Sequence, residues 1–597
     1  MGGKLPQWLE KRYSSLWDAF GDSSFRLEDA VKVLMDSSKD RWEDVPTYLS
    51  ELRRNDWLLT ESDPKDTRQK LYRLKARLGF MTDIIQKDRL TRSDVESLLK
   101  RAADLIRTRV DYKFILILLF LKRLSDKWEG EFRRACDEAA QDGLSKEEAE
   151  QEAKNPVYHD FDLPEELLWD NIKKDVNRLP ENFSKAMKAL AELNPELKDI
   201  VESVDFVQFA SSRENTEILR QLFELFSEKK LKNVSDDILG DAYEWILRFF
   251  APSKAKEGEI YTPREVIKVL VEILDPKPGD TVYDPACGSG GILILSYKHV
   301  EEKYGKKEAR KLFLYGQEVN RSILALCKMN MYIHGITDYH LEFGDTLLYP
   351  KFKEKDGLKT FNRVAANPPW NQDGYDEEVL KKGEFWKERF FDYGFVSRQS
   401  ADWAWIEHMV ASSMKDTGRV GVVLDNGSLF RGGKEGIARS KVLEADLVEC
   451  VILLPEKLFY NTGAPGAIVI LRKNKPPERR NRVLFINASN ECEQHPDVRK
   501  LNTLGDDNIH RIVDAYETFC ERIGFSRVVS KNKIVEKDGS LNVTLYVATN
   551  DVQQEINIPQ TYAELKKLEE EQRESTERFE EYLKQINQMS GEEKNAL

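Results

Sequence analysis

Val282–Ile294 reads "VYDPACGSGGILI". An apolar run ends in an acid, passes through a glycine-rich turn and opens into an apolar stretch of helical character. Glycines there permit a tight turn and close approach of a ligand to backbone. The turn lacks the full G-x-G-x-x-G dinucleotide pattern and the Lys-Ser/Thr pair of a P-loop, which argues against a nucleoside triphosphate. From about residue 246, β-rich runs alternate with helical ones: "TVYDPAC", "FLYGQEV", "HLEFGDT", "RVAANPP", "RVGVVLD", "VECVILLP", "AIVILRK" and "RVLFINA". This alternation predicts an α/β fold with a mostly parallel sheet covered on both faces. Such sheets bind ligands at the carboxyl ends of their strands.

Polar residues fall at those ends. "YGQEVN" places Glu318 at the end of the second strand, where a carboxylate can accept both hydroxyls of a ribose. "EFGDTLL" places Asp345 at the end of the third, suited to accept from an adenine amino group. "FNRVAANPPWNQDGYD" closes the fourth with Asn367, Pro368, Pro369 and Trp370. Two adjacent prolines stop both helix and sheet. Singly, each acid is ordinarily a turn or helix cap. The ordered set Asp284, Glu318, Asp345, Asn367 predicts one site on one sheet edge.

The chain has 597 residues, enough for three or four domains. Hydrophobic residues make up 41% and charged residues 33%, as in soluble globular proteins. "FILILLFL", Phe114 to Leu121, is too short to span a bilayer and predicts a buried helix. "MGGKLPQWLEKRYSS" lacks the apolar core of a signal peptide, and Pro6 argues against myristoylation. The six cysteines form no CxxC pair, so neither a disulfide framework nor a metal site is expected, and the pattern suits the cytoplasm. The net charge of −13 is unlike that of a protein binding nucleic acid alone; contact with DNA would need a local patch or a partner.

Four segments follow. In residues 1–80, "FRLEDAVKVLM" and "WEDVPTYLSELRRNDW" predict helices, and "WLLTES" and "KLYRLK" a hairpin with "DPKDTRQ" at its tip. This resembles a winged helix, with Lys65, Arg68 and Lys70 as wing cations; its nearly balanced charge also suits a protein-docking module. Residues 90–245 read as helical, with Ser145 or Asp142 as caps in "LSKEEAEQEAK". Residues 246–550 carry the α/β pattern. In 551–597, Leu565, Leu568, Gln572, Ser575, Phe579, Tyr582, Ile586 and Met589 keep heptad spacing, a seam that one helix cannot bury alone.

"YTPREV" (Tyr261–Val266), then "DPACGSGG", then "NPPW" resemble the motifs of class I S-adenosylmethionine-dependent methyltransferases. The tetrapeptide is that of the amino-group DNA methyltransferases, and the motif order is that of their N6-adenine γ group. "RAADLIRTRVDYKFILILLFLKRLSDKWE", "GRVGVVLDNGSLFRGGKEGIAR", "LPEKLFYNTGAPGAIVILRKNK" and "KIVEKDGSLNVTLYV" are similar to modification (M) subunits of type I restriction–modification systems. The similarity runs from about residue 90 to the end; the front segment is not part of the common pattern. It implies a Rossmann-like methyltransferase sheet with an N-terminal helical domain and a C-terminal coiled-coil-type helix. It implies methylation of the N6 amine of a flipped adenine, protecting host DNA. Sequence recognition would fall to a separate specificity (S) subunit docked on the C-terminal helix. Double-stranded DNA, a second M subunit and a restriction (R) subunit complete the implied partners, with no membrane.

The same resemblance assigns Tyr261, Thr262, Pro263, Asp284, Ala286, Gly288, Ser289, Gly290, Gly291, Glu318, Asp345, Thr346 and Asn367 to S-adenosylmethionine. It assigns Asn367, Pro368, Pro369, Trp370 and Phe459 to catalysis, with Tyr460 as the alternative to Phe459. An exocyclic amine is a poor nucleophile because its lone pair is delocalised. Acceptors for both its N–H groups, Asn367 Oδ1 and the Pro368 carbonyl, would localise that pair, so positioning carries most of the rate. Trp370 offers a flat face to an extruded base, worth about 1–3 kcal/mol. Cys287 is not expected to be a nucleophile, since no His lies near it in sequence. Asn367 favours adenine over cytosine, whose enzymes usually begin the tetrapeptide with Ser. A protein-glutamine methyltransferase would be much shorter, and a catalytically dead DNA-binding regulator would not need the intact acids.

Overall fold

A computed structural model describes residues 7–20, 24–38, 41–54, 57–63, 66–74, 91–106, 111–194, 197–198, 205–231, 234–254, 261–355, 357–460, 462–495, 498, 500–548, 562, 565–576 and 578–579. The chain divides into two compact units, Met1–Val95 with Lys230–Ser235, and Glu96–Lys229 with Asp236–Leu597.

In the first unit, helices α1 (Gln7–Phe20), α2 (Leu27–Ser38) and α3 (Val45–Arg54) precede strands β1 (Leu58–Asp63) and β2 (Asp66–Leu74). The strands pair antiparallel, Leu58 opposite Leu74, and Phe25 bridges to Tyr72. Leu9, Tyr13 and Leu16 of α1 enter the core with Leu34, Leu49 and Leu52. Sequence reading found α2, α3 and the hairpin but did not single out α1. Arg53, Arg54 and Lys70 are exposed. Lys65 lies outside the described residues, as does the Arg68 side chain.

The second unit opens with helices, of which α4 (Arg92–Ile106) crosses the division between units. There follow α5 (Lys113–Gln141), α6 (Lys146–Glu152), α7 (Leu179–Leu193), α8 (Arg213–Ser227) and α9 (Asp236–Lys254). The apolar run opening α5 is a buried helix, with Ile115 through Phe120 fully enclosed. One turn on, Lys122 and Asp126 form an enclosed ion pair, Nζ lying 2.6 and 2.7 Å from the two carboxylate oxygens. Ser145 caps α6 in a reciprocal capping box with Glu148.

All eight predicted runs lie in one nine-stranded sheet. They are β3 (Thr281–Asp284), β4 (Phe313–Glu318), β5 (His340–Phe343), β6 (Arg363–Ala366), β7 (Arg419–Asp425), β8 (Val448–Leu453), β9 (Gly466–Arg472) and β10 (Arg482–Asn487). The ninth, β11 (Ser526–Ser530), was missed because "SRVVS" is short and half polar. The order is β11-β10-β8-β9-β7-β6-β3-β4-β5. Pairing is parallel from β5 through β7 and between β8 and β10, and antiparallel at β7–β9, β8–β9 and β10–β11. Both faces are covered: along β9, Ala467, Val469 and Leu471 enter one core, Ile468 and Ile470 the other. Helices α10 (Arg264–Leu274), α11 (Gly291–Tyr304) and α12 (Arg321–Ile333) each precede or follow a strand on the β3–β5 side. No helix among the described residues is long and apolar enough to cross a membrane.

In the C-terminal segment, residues 565–576 and 578–579 are helical, and Leu565, Leu568 and Phe579 are exposed. Tyr582, Ile586 and Met589 of the seam lie outside the described residues.

Candidate active site

Strands β5, β4, β3 and β6 are consecutive neighbours, so their carboxyl ends form one edge. Asp284 and Glu318 are the last residues of β3 and β4, Asn367 follows β6, and Asp345 lies two residues beyond β5. A cleft opens at this edge. Of the predicted residues, Tyr261, Thr262, Asp284, Ala286, Gly288, Ser289, Gly291 and Asn367 line it.

The turn after β3 is fixed by its own backbone and by β4. Asp284 Oδ1 accepts from the Ala286 N–H at 3.0 Å, and the Cys287 N–H donates to the Gln317 carbonyl at 3.0 Å. Glu318 accepts from the N–H groups of Gly288 (3.1 Å) and Asn320 (2.8 Å). Gly290 opens α11 at φ +85°, and a Cβ there would meet Cys327 Sγ at 2.8 Å, so only glycine fits. Thr346 donates to the Pro285 carbonyl at 2.6 Å, tying the β5 end to this turn.

Burial pushes the Asp284 carboxyl up to about 8; the Ala286 N–H opposes this and Glu318 adds to it. Burial also raises Glu318, against the backbone N–H groups that favour its charge. Two enclosed carboxyls held above their ordinary range favour a cationic ligand. Between about 4, the unfolded value, and about 8, the folded protein holds the Asp284 proton and the unfolded chain does not. This contribution to stability is full below that window and is lost as pH rises through it. Asp284→Asn is therefore expected to flatten the fall in melting temperature of the ligand-free protein across the window. Identical pH profiles for variant and wild type would disprove the assignment.

Asp345 makes contacts that sequence reading did not foresee. Oδ1 accepts from the Leu348 N–H at 3.1 Å and Oδ2 from the Tyr375 hydroxyl at 2.8 Å. Tyr375 comes from the segment after the tetrapeptide. Cys287 is buried, and its thiol is raised well above the ordinary range by Cys327 and by burial, opposite to what a nucleophile needs.

The Asn367 amide is pinned at both ends. Nδ2 donates to Thr262 Oγ1 at 2.8 Å, and Oδ1 accepts from the Trp370 indole N–H at 2.9 Å. The orientation leaves a second lone pair on Oδ1. Pro368 is buried and Pro369 half-buried. The Asn371 N–H donates to the enclosed Asp402 carboxylate at 2.9 Å, and Arg431 meets the other Asp402 oxygen at 2.8 Å, bracing the turn from behind. Trp370 and Phe459 meet edge to face at 4.6 Å, both close against Gly466, where a Cβ would collide with the Phe459 ring. Phe459 is 1% exposed and presents no free face in this conformation. Tyr460 is half-buried, lines a solvent-open hollow with Lys457, Lys500 and Asn502, and meets Tyr261 edge to face at 5.8 Å.

Glu244, Arg264 and Asn330 also line the cleft and were missed. Glu244 belongs to α9, which runs through the boundary drawn at 245/246. Arg264 was legible as the residue after "YTP". Nothing in the local sequence marks Glu244 or Asn330.

The N-6 DNA Methylase family model matches residues 234–555, and the HsdM N-terminal domain model matches 95–226. The MjaVII methylase subunit of a type I restriction enzyme of Methanocaldococcus jannaschii is 41% identical over 96% of both chains. The MjaVIII methylase subunit of the same organism is 40% identical over 98% of both. A crystal structure of a type I restriction–modification methyltransferase subunit from Streptococcus thermophilus aligns at TM-score 0.66 and 26% identity, covering 77% of this chain and all of that one. The chain thus belongs to the modification subunits of type I restriction–modification systems, S-adenosylmethionine-dependent methyltransferases specific for the N6 amine of adenine in DNA.

Proposed function

We propose that the cleft at the β3–β6 edge holds S-adenosylmethionine and presents it to an adenine held by Asn367, Pro368 and Trp370. The carrying observation is that the pinned Asn367 amide and the Gly288–Gly291 turn face one cleft. The donor set suits that cofactor: raised carboxyls for a cation, Glu318 for ribose hydroxyls, and a turn with open space at Gly288. When bound, it supplies a methyl group on a positively charged sulfur.

Asn367 Oδ1 accepts one amine hydrogen through its remaining lone pair, and the Pro368 carbonyl accepts the other. Thr262 and Trp370 hold the amide so that it does not reorient as charge develops on nitrogen. Trp370 and Tyr460 flank the extruded base, with Phe459 backing Trp370. Asp345 carries the cofactor adenine amine, which requires it to share Oδ2 with Tyr375 or release that hydroxyl. The test is transfer of labelled methyl to DNA, with and without the specificity subunit. Label on cytosine or on protein would refute the reading.

The finer architecture belongs to the same proposal. Residues 1–80 form a winged helix, supported by the order of three helices, a hairpin and the Phe25–Tyr72 bridge. The C-terminal helix docks on helices of the specificity subunit, supported by the exposure of Leu565, Leu568 and Phe579. The complex includes a second M subunit and a restriction subunit. A chain ending at Pro559 is expected to lose co-purification with the specificity subunit while binding cofactor within about twofold of wild type, since a seam is worth little without its partner. Normal complex formation by that truncation would sink the docking assignment.

A further inference from the structure

At the end of the cleft beside α9, acceptors without donors converge. Asn330 of α12 is 1% exposed. Its Nδ2 donates to the Ser289 carbonyl of the glycine turn at 2.9 Å, which fixes the amide orientation. Its Oδ1 is enclosed and has no hydrogen-bond partner among the described residues. One turn on, His334 Nδ1 donates to the Asn330 carbonyl at 2.9 Å, so Nε2 carries a lone pair. That nitrogen is also enclosed, has no hydrogen-bond partner among the described residues and lies 3.8 Å from Glu244 Oε1. Two acceptors facing each other at that distance attract no one another; they await a donor.

Arg264 Nη1 lies 2.7 Å from Asp241 and 3.0 Å from Glu244, and Lys298 and Arg248 also act on the Glu244 carboxylate. The Glu244 side chain is only 11% exposed, and burial raises its carboxyl above the ordinary range. An enclosed carboxyl next to unfilled acceptors suits a ligand with several N–H donors.

We infer that Glu244 and Asn330 are the receptor for the α-ammonium group of the cofactor's methionine moiety. The ammonium has three N–H donors, enough for both Glu244 Oε1 and Asn330 Oδ1. His334 is a positioning residue only through its Nδ1 hydrogen bond to the Asn330 carbonyl, which steadies the turn carrying that amide. The inference rests on the cleft being the cofactor site.

The probes are S-adenosylhomocysteine and its deamino analogue, titrated calorimetrically into the full-length protein. Wild type is expected to prefer the amine-bearing ligand by about tenfold or more, the scale of one hydrogen bond to a charged group. Glu244→Gln is expected to reduce that preference to under about threefold and to leave the deamino affinity within about twofold, which also reports an intact fold. A preserved preference in the variant would overturn the inference, as would equal weakening toward both ligands. Should E244Q bind neither, Asn330→Ala poses the same question, and a preserved preference there overturns the inference. Glu318→Ala separates the two readings. It is expected to weaken both ligands alike, and if it weakens neither, the cofactor-site reading fails and this one with it.

Discussion

Asn367→Ala is expected to lower the rate of methyl transfer by roughly 10²- to 10³-fold, the usual cost of one preorganised acceptor or donor at the reacting atoms. The amide does three things at once. It accepts from the Trp370 indole at 2.9 Å, donates to Thr262 at 2.8 Å, and keeps a lone pair toward the cleft. Alanine removes all three, leaving the indole N–H only the longer contact to the Val423 carbonyl at 3.3 Å. Asn367→Asp keeps an acceptor but loses the donor to Thr262, so its rate should fall between the two. Cofactor affinity should change much less than rate, because the glycine turn and Glu318 are untouched. Single-turnover transfer to DNA in the presence of the specificity subunit is the measurement. A rate within threefold of wild type for the alanine variant would remove Asn367 from the chemistry.

The second large effect is on folding. Asp126→Ala is expected to destabilise the second unit by about 3–5 kcal/mol, the range for removing one member of an enclosed ion pair. Lys122 is 1% and Asp126 0% exposed, and the ammonium meets both carboxylate oxygens. Alanine strips that ammonium of its carboxylate inside a helix whose preceding residues, Ile115 through Phe120, are wholly enclosed. The double change Lys122→Met with Asp126→Leu should recover most of the loss, since an apolar pair of similar volume needs no counter-charge. Denaturant unfolding of the three proteins decides it. A single-variant loss below about 1 kcal/mol would place the pair among surface-like bridges.

The sheet was legible because period-2 and apolar runs ending in Asp284, Glu318 and Asn367 repeat with helical spacers between them. What was not legible arises from contacts distant in sequence. Tyr375 reaches Asp345 across thirty residues of chain, and neither residue's neighbours announce it. Phe459 and Tyr460 are adjacent aromatics, and only the packing of Phe459 under Gly466 tells that Phe459 is the enclosed one. Asn330 sits on the buried face of α12, where an amide reads as an ordinary core polar residue until its unfilled oxygen is seen. Helix α1 is weakly marked in sequence, since charged and polar residues separate Leu9, Tyr13 and Leu16, which nonetheless keep helical spacing.

Helix α9 has a consequence for how the protein can be cut or recombined. Tyr243 is enclosed and donates to the Leu326 carbonyl of α12, while Phe250 stacks on Tyr112 just ahead of α5. Between them, Glu244 and Leu247 form part of the cleft wall. One helix therefore serves as lining for the α/β half and as packing surface for the helical half. A gene fragment beginning after α9 would encode a sheet with an open-sided cleft, and a chimera joined within it would mismatch both neighbours. The workable joints lie ahead of Asp236, so the helical half can be exchanged only if the incoming one fits this helix.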